Sequence, residues 1–126
     1  MKWLVDKVDT SDMTVRFKSR RAVNDQEITY RITLSKNFRD YIKEEGYKGV
    51  RFGYDTVKGE NVLALGLTTE TQGANLIGIK GDIRNWFNIT SYIEQYISEG
   101  VEVNFLKNYR VNVRKNGTAT LELVES

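Results

Sequence analysis

The stretch ITLSKNFRDYIKE, residues 32–44, is echoed 55 residues later by FNITSYIEQYISE, residues 87–99. Both copies place apolar or aromatic residues at the same positions, and a glycine follows each copy, Gly46 and Gly100. After each glycine the apolar residues change from a helical spacing to the alternation that is typical of a strand. A repeated helix-then-strands unit predicts two copies of one supersecondary element that bury their apolar faces on each other.

The first copy predicts a short helix with Ser35 as its N-cap. Phe38, Tyr41 and Ile42 are spaced three and four residues apart, so they are expected to bury one face of this helix. The helix is expected to end just before Gly46, since glycine readily adopts the left-handed conformation that follows a helix.

The second copy predicts a second short helix. Thr90 is its expected N-cap. Its apolar side is expected to carry Tyr92, Ile93, Tyr96 and Ile97.

The rest of the chain predicts strands joined by polar turns, among them Ser11-Asp12 and residues 23–26. The predicted strands cover residues 3–8, 14–20, 27–34, 50–54, 62–67, 76–80, 101–106, 109–115 and 118–124. Asn116-Gly117 between the last two is a strong signal for a tight hairpin. The expected fold class is therefore α+β, a mainly antiparallel sheet or barrel with two short helices. A single domain, 1–126, would contain approximate repeats at 28–80 and 83–126.

The amino-acid composition indicates a globular domain and excludes several kinds of site. The 126 residues are 40% hydrophobic and 29% charged, as in an ordinary globular domain. Without cysteine or histidine the chain has no disulfide, no thiolate site and none of the commonest general bases or metal ligands. No apolar run reaches the length of a membrane span, and the first residues have no signal-peptide core, so a cytoplasmic location is expected.

No enzyme signature emerges from the sequence. Glu44-Glu45 read as the exposed last turn of a helix rather than as paired acids. Asp6, Asp9 and Asp12 lack the glycine and distal glutamate of a calcium loop, so a polar turn is expected. We therefore expect a non-enzymatic protein with no catalytic residue, no metal and no cofactor.

A ladder of cations lies near the amino end. Arg16, Lys18 and Arg20 alternate with Val15 and Phe17, so in a strand they share one face at intervals of roughly 6.5–7 Å. Adjacent Arg21 and strand-borne Arg31 would extend the same positive field. This interval is close to the phosphate repeat of an extended nucleic-acid strand, and such contacts would displace counterions.

A second, weaker ladder lies near the carboxyl end. It consists of Arg110, Asn112 and Arg114, with Lys115 beside it at the hairpin turn. Either ladder is also explained by an open sheet face that needs lysine and arginine for solubility and to deter aggregation. Net charge does not decide between these readings, because it is only +2 overall.

Aromatic side chains could stack on bases. Phe17, Tyr30 and Phe52 alternate with polar residues and are expected in the core. Three other rings near turns are freer to be exposed: Tyr47, Tyr54 and Trp86.

Part of the first copy resembles the AbrB/MazE/SpoVT swapped-hairpin family. The residues that carry the resemblance are Ile32-Thr33-Leu34-Ser35-Lys36-Asn37-Phe38-Arg39, Gly46, Val50-Arg51-Phe52 and Val62-Leu63-Ala64-Leu65. The chain departs from the family at Ser35, where proline is usual. The resemblance implies a two-fold barrel built from two halves of one chain. It also implies duplex DNA binding through cations near the amino-terminal strands, here Arg16, Lys18, Arg20 and Arg31.

The segment from Ile32 to Ile42 is also similar to the strand-to-helix step of the whirly-like single-strand-binding coactivators. That resemblance implies a basic β-surface placed against unpaired strands. Here further strands follow each helix, which that family's simpler unit does not need.

The sequence therefore predicts a DNA-binding protein, a small transcriptional regulator in one interpretation, that uses a basic β-surface. The expected binding residues are Arg16, Lys18, Arg20, Arg21, Arg31, Arg110, Arg114 and Lys115. The alternative is a protein-interaction module that inhibits or assists another protein. A structural subunit that assembles through sheet edges is a third interpretation.

Overall fold

One antiparallel sheet contains every strand in the described part of the chain. The computed structural model describes residues 13–21, 28–81, 83–105 and 107–124, with Arg21 described by its backbone only. The strands are β1 (Thr14–Arg21), β2 (Ile28–Leu34), β3 (Gly49–Val57), β4 (Glu60–Thr68), β5 (Leu76–Gly78), β6 (Trp86–Asn88), β7 (Asn108–Val113) and β8 (Thr118–Leu123), and the helices are α1 (Lys36–Glu44) and α2 (Thr90–Ser98). The strand order is β5-β3-β4-β8-β7-β1-β2-β6, and the sheet curls into a half-barrel. The predicted α+β class with a mainly antiparallel sheet is confirmed.

The two copies of the repeat pair with each other at two places in this sheet. β2 pairs with β6 so that Ile32 lies opposite Phe87, its own counterpart 55 residues later. β4 pairs with β8, and there Leu65 lies opposite Ala119. Both pairings join a strand of one copy to the corresponding strand of the other, as expected for a duplicated unit.

The core fills the inner face of the curled sheet. Val15 and Phe17 of β1 are almost fully buried, and the Phe17 ring meets the edge of Tyr109 from β7 at 5.5 Å between centroids. Both helices contribute to the same apolar cluster, α1 through Phe38 and α2 through Ile93. The polar residues that alternate with these strand positions lie on the outer face of the sheet.

The start of α1 is fixed by a single hydroxyl. Ser35 Oγ accepts a hydrogen bond from the Phe38 N–H at 3.3 Å, which confirms the predicted N-cap. The same oxygen accepts the Thr14 N–H of β1 at 3.0 Å, so it joins the helix to the sheet. Gly46 follows the helix with φ of 75°, as the sequence predicted.

The predicted start and apolar side of α2 are wrong in two details. Ile89 occupies the N-cap position without a side-chain bond, and Thr90 is already the first helical residue. The Thr90 hydroxyl is engaged elsewhere, because it accepts the Tyr30 N–H of β2 and donates to Asn88. α2 therefore begins one residue earlier in the repeat than α1. Of its expected apolar side Tyr96 is buried, whereas 64% of the surface of Ile97 is exposed.

Strand predictions differ from the structure at several places; the strand predicted at 109–115 ends at Val113, and the one predicted at 50–54 continues to Val57. The described residues 101–105 form no strand, and the backbone N–H of Asn104 donates to Tyr109 Oη at 2.8 Å. β6 was not predicted, since a three-residue strand shows no periodicity of its own. The strand predicted at 76–80 ends at Gly78. The strand predicted at 3–8 and the turns predicted near residues 11–12 and 23–26 lie outside the described residues.

Both helices are short. In the described ranges no helix is long and apolar enough to cross a lipid bilayer.

Replacing Ser35 with alanine is expected to lower the free energy of unfolding by about 2 kcal/mol, because two backbone N–H groups lose their acceptor. Urea denaturation measures this loss. Ser98→Ala is the matched control, since the Ser98 hydroxyl only donates to Gln95 O at the exposed end of α2. It is expected to cost under about 0.5 kcal/mol. Equal losses in the two variants would contradict the double role of Ser35.

The different burial of Ile42 and Ile97 gives a second stability test. Ile42 and Ile97 are counterparts in the repeat, but only 1% of Ile42 is exposed. Ile42→Ala is expected to cost about 2–4 kcal/mol, whereas Ile97→Ala stays within about 0.5 kcal/mol of the wild type. Thermal and urea unfolding of both variants compare them directly. A large loss in Ile97→Ala would show that this side chain is buried.

Candidate nucleic-acid interface

The outer face of β1 and β2 gathers the amino-terminal cations. In the antiparallel register Lys18 lies opposite Arg31, and Arg16 and Arg20 lie opposite Thr33 and Thr29. Residues directly opposite each other in a sheet project from the same face. Arg16, Lys18, Arg20 and Arg31 therefore form one cluster, here called the basic face.

Acidic residues are missing from this surface in the described part of the chain. The other outward positions of β1, β2 and β6 are Thr14, Thr29, Thr33, Trp86 and Asn88. Lys18 and Arg20 are exposed. They and Arg31 form no ion pair with any described residue. Two like charges placed opposite each other on neighbouring strands repel, so the Lys18–Arg31 pair costs stability.

Arg31 is supported by an aromatic ring that the sequence did not assign to it. Its guanidinium carbon lies 4.0 Å from the centroid of the Trp86 ring. Trp86 is half-buried in β6, the strand that pairs with β2 on its other side. No sequence signal links the two residues, because their contact depends on the pairing of β6 with β2. The stack holds the guanidinium in place on the basic face.

Arg16 and Arg110 lie at the border of the basic face. Arg16 is half-buried and lies opposite Asn108 of β7. Arg110 is also half-buried, and it lies opposite Thr14 on one side and Glu122 on the other. From β1 through β7 to β8 along the described outer face, Glu122 is the first acidic residue. The positive field therefore weakens at β8.

The other predicted site residues do not join the cluster. Arg114 lies just after β7 and pairs with Asp55, with 3.4 Å between guanidinium nitrogen and carboxylate oxygen. Lys115 is exposed in the β7–β8 turn. Arg21 lies opposite Ile28 at the end of β1, and its side chain is outside the described residues.

Two groups of acidic residues were weighed from the sequence, one as a catalytic pair and the other as a metal-binding loop. Glu44 and Glu45 are exposed at the end of α1. Asp6, Asp9 and Asp12 lie outside the described residues. Within the described ranges, no group of three or more acidic side chains is placed to hold a metal ion.

No protein-family model, curated protein or solved structure matches the chain. The resemblances to the AbrB/MazE/SpoVT and whirly-like families thus stay predictions.

The repulsion across β1 and β2 predicts a variant that is more stable than the wild type. Lys18→Glu is expected to raise the free energy of unfolding by about 0.5 kcal/mol, because an attractive pair with Arg31 replaces a repulsive one. Lys48→Glu makes the same change of net charge at the start of β3 and controls for the general effect. Urea denaturation at low salt measures both variants, and the gain shrinks in about 1 M NaCl. A destabilised Lys18→Glu variant would contradict the predicted repulsion.

Proposed function

We propose that this chain is a non-enzymatic cytoplasmic protein that binds DNA through the basic face. The observation that carries the proposal is the placement of Lys18 opposite Arg31 with no acid on the described outer face of β1, β2 and β6. Such an arrangement is unfavourable in the free protein and becomes favourable when an anion lies across both strands.

The spacing of the cluster supports a polyanion rather than a single ion. Cations at alternate positions of β1 are separated by roughly 6.5–7 Å, and the neighbouring strand adds Arg31 about 5 Å to the side. One phosphate cannot reach all four side chains, whereas successive phosphates of one strand can. Arg31, held against Trp86, also offers a flat guanidinium on which a base can stack.

Edge-to-edge pairing with another protein has less to support it. The two strands at the ends of the described sheet, β5 and β6, contain three residues each. Short edges offer little backbone for the addition of a further strand.

The direct test reverses two exposed cations. Lys18→Glu combined with Arg20→Glu is expected to weaken binding of a labelled single-stranded or duplex DNA at least about tenfold at low salt, because two contacts are lost. Fluorescence anisotropy measures the dissociation constants. The matched control is Lys48→Glu with Lys80→Glu, which changes net charge equally at exposed positions away from the basic face. This control is expected to bind within about twofold of the wild type.

Salt dependence gives an independent readout. Four phosphate contacts predict a slope of about −3 for the logarithm of the binding constant against the logarithm of salt concentration with a single strand. The Lys18/Arg20 variant is expected to lose about half of that slope. Wild-type protein that retains neither DNA form at low salt, or equal losses in both double variants, would refute the proposal.

A further inference from the structure

A pocket of about 200 Å³ opens between β3 and α2, away from the strands of the basic face. It is lined mainly by Phe52, Tyr54, Tyr92, Gln95, Tyr96 and Glu99. The volume is small compared with the sites of drug-sized ligands, so it suits a compact molecule.

Aromatic rings make up most of the pocket wall. Phe52 and Tyr92 lie nearly parallel, with 4.8 Å between ring centroids and 15° between planes. Tyr54 is 43% exposed and stands at the rim. The facing sides of Phe52 and Tyr92 cover each other, so the exposed ring of Tyr54 is the one that can offer its negative face to a bound cation.

One carboxylate completes the negative character of the pocket. Glu99 lies at the end of α2, and its Oε2 accepts the Tyr54 hydroxyl at 3.2 Å. The charge of Glu99 raises the pKa of this hydroxyl and so favours its neutral form. None of the described residues that line the pocket is a lysine or an arginine.

Tyr96 places a hydroxyl at the inner end of the pocket. The side chain is 96% buried, since only 4% of its surface is exposed, and its hydroxyl has no hydrogen-bond partner of normal geometry among the described residues. The hydroxyl lies next to the backbone of Gly53, another lining residue, and burial raises its pKa above the usual value. A neutral hydroxyl with unused hydrogen-bonding capacity is costly in a core unless something else satisfies it.

We propose that this pocket binds a small organic ammonium ion, held by an aromatic cage that is open at the rim, in which Tyr54 and Tyr92 contact the ion, and by the charge of Glu99. A methylated ammonium fits best, because its diffuse charge is weakly hydrated and contacts ring faces directly. A hydroxyl or carbonyl on the same ligand would find its partner in Tyr96.

Isothermal titration calorimetry with choline on the full chain tests the proposal. Choline is expected to bind, and 3,3-dimethyl-1-butanol, its uncharged carbon isostere, is expected not to bind. Glu99→Gln is expected to weaken choline binding about threefold to fivefold, as for loss of one exposed charge pair. Glu44→Gln alters the repeat counterpart of Glu99 on α1 and is expected to bind choline like the wild type.

Two substitutions of Tyr54 separate the ring from its hydroxyl. Tyr54→Phe keeps the ring and releases Glu99, so binding as tight as in the wild type, or tighter, is expected. Tyr54→Leu removes one wall of the cage and is expected to weaken binding about threefold or more. Tyr54 is half exposed at the rim, and circular dichroism verifies that each variant is folded.

Either of two outcomes would overturn the proposal. One is the absence of choline binding by the folded wild-type protein at millimolar concentration. The other is equal binding of choline and its uncharged isostere, which would show that the pocket selects shape alone. Neither outcome bears on DNA binding, because the residues of the basic face do not line this pocket.

Discussion

The antiparallel pairing of β2 with β6 is the constraint on which the rest of this structure depends. It is centred on Ile32 and Phe87, the same position of the two repeat copies, and it aligns both copies in a single register. Backbone hydrogen bonds extend it beyond the short strand, from Leu34 N–H to Asn85 O at 2.8 Å and from Ile89 N–H to Tyr30 O at 2.9 Å. Each helix begins within two residues of this pairing, so the register also determines which helix faces reach the core.

The sequence predicted the features that depend on local periodicity and capping. The helix capped by Ser35 and the hairpin at Asn116-Gly117 both lie where expected, because turn and cap chemistry are local. The features that it did not predict depend on tertiary contacts. Threonine is a common N-cap residue, but the hydroxyl of Thr90 accepts the Tyr30 N–H of β2 instead. Ile97 is exposed, although its repeat counterpart Ile42 is buried.

Strand alternation in the sequence predicted only the part of the basic face that lies on β1. Alternation placed Arg16, Lys18 and Arg20 on one side of β1, but only the register shows that Lys18 faces Arg31. In the second ladder Arg114 pairs with Asp55, which is distant in sequence. A single sequence does not reveal such a pairing, because it depends on how the strands come together in the fold.

Nuclear magnetic resonance titration with single-stranded DNA, and separately with duplex DNA, tests the basic face without any substitution. With at least one of the two forms, we expect the amide resonances of Arg16, Lys18 and Arg31 and the indole resonance of Trp86 to shift together and saturate at one stoichiometry. The resonances of the β3–β4 hairpin are expected to stay unchanged. That result would place the polyanion across β1 and β2, where Lys18 lies opposite Arg31. Shifts confined to the hairpin or to α2, or no shift with either form at low salt, would contradict the proposal that the basic face binds nucleic acid.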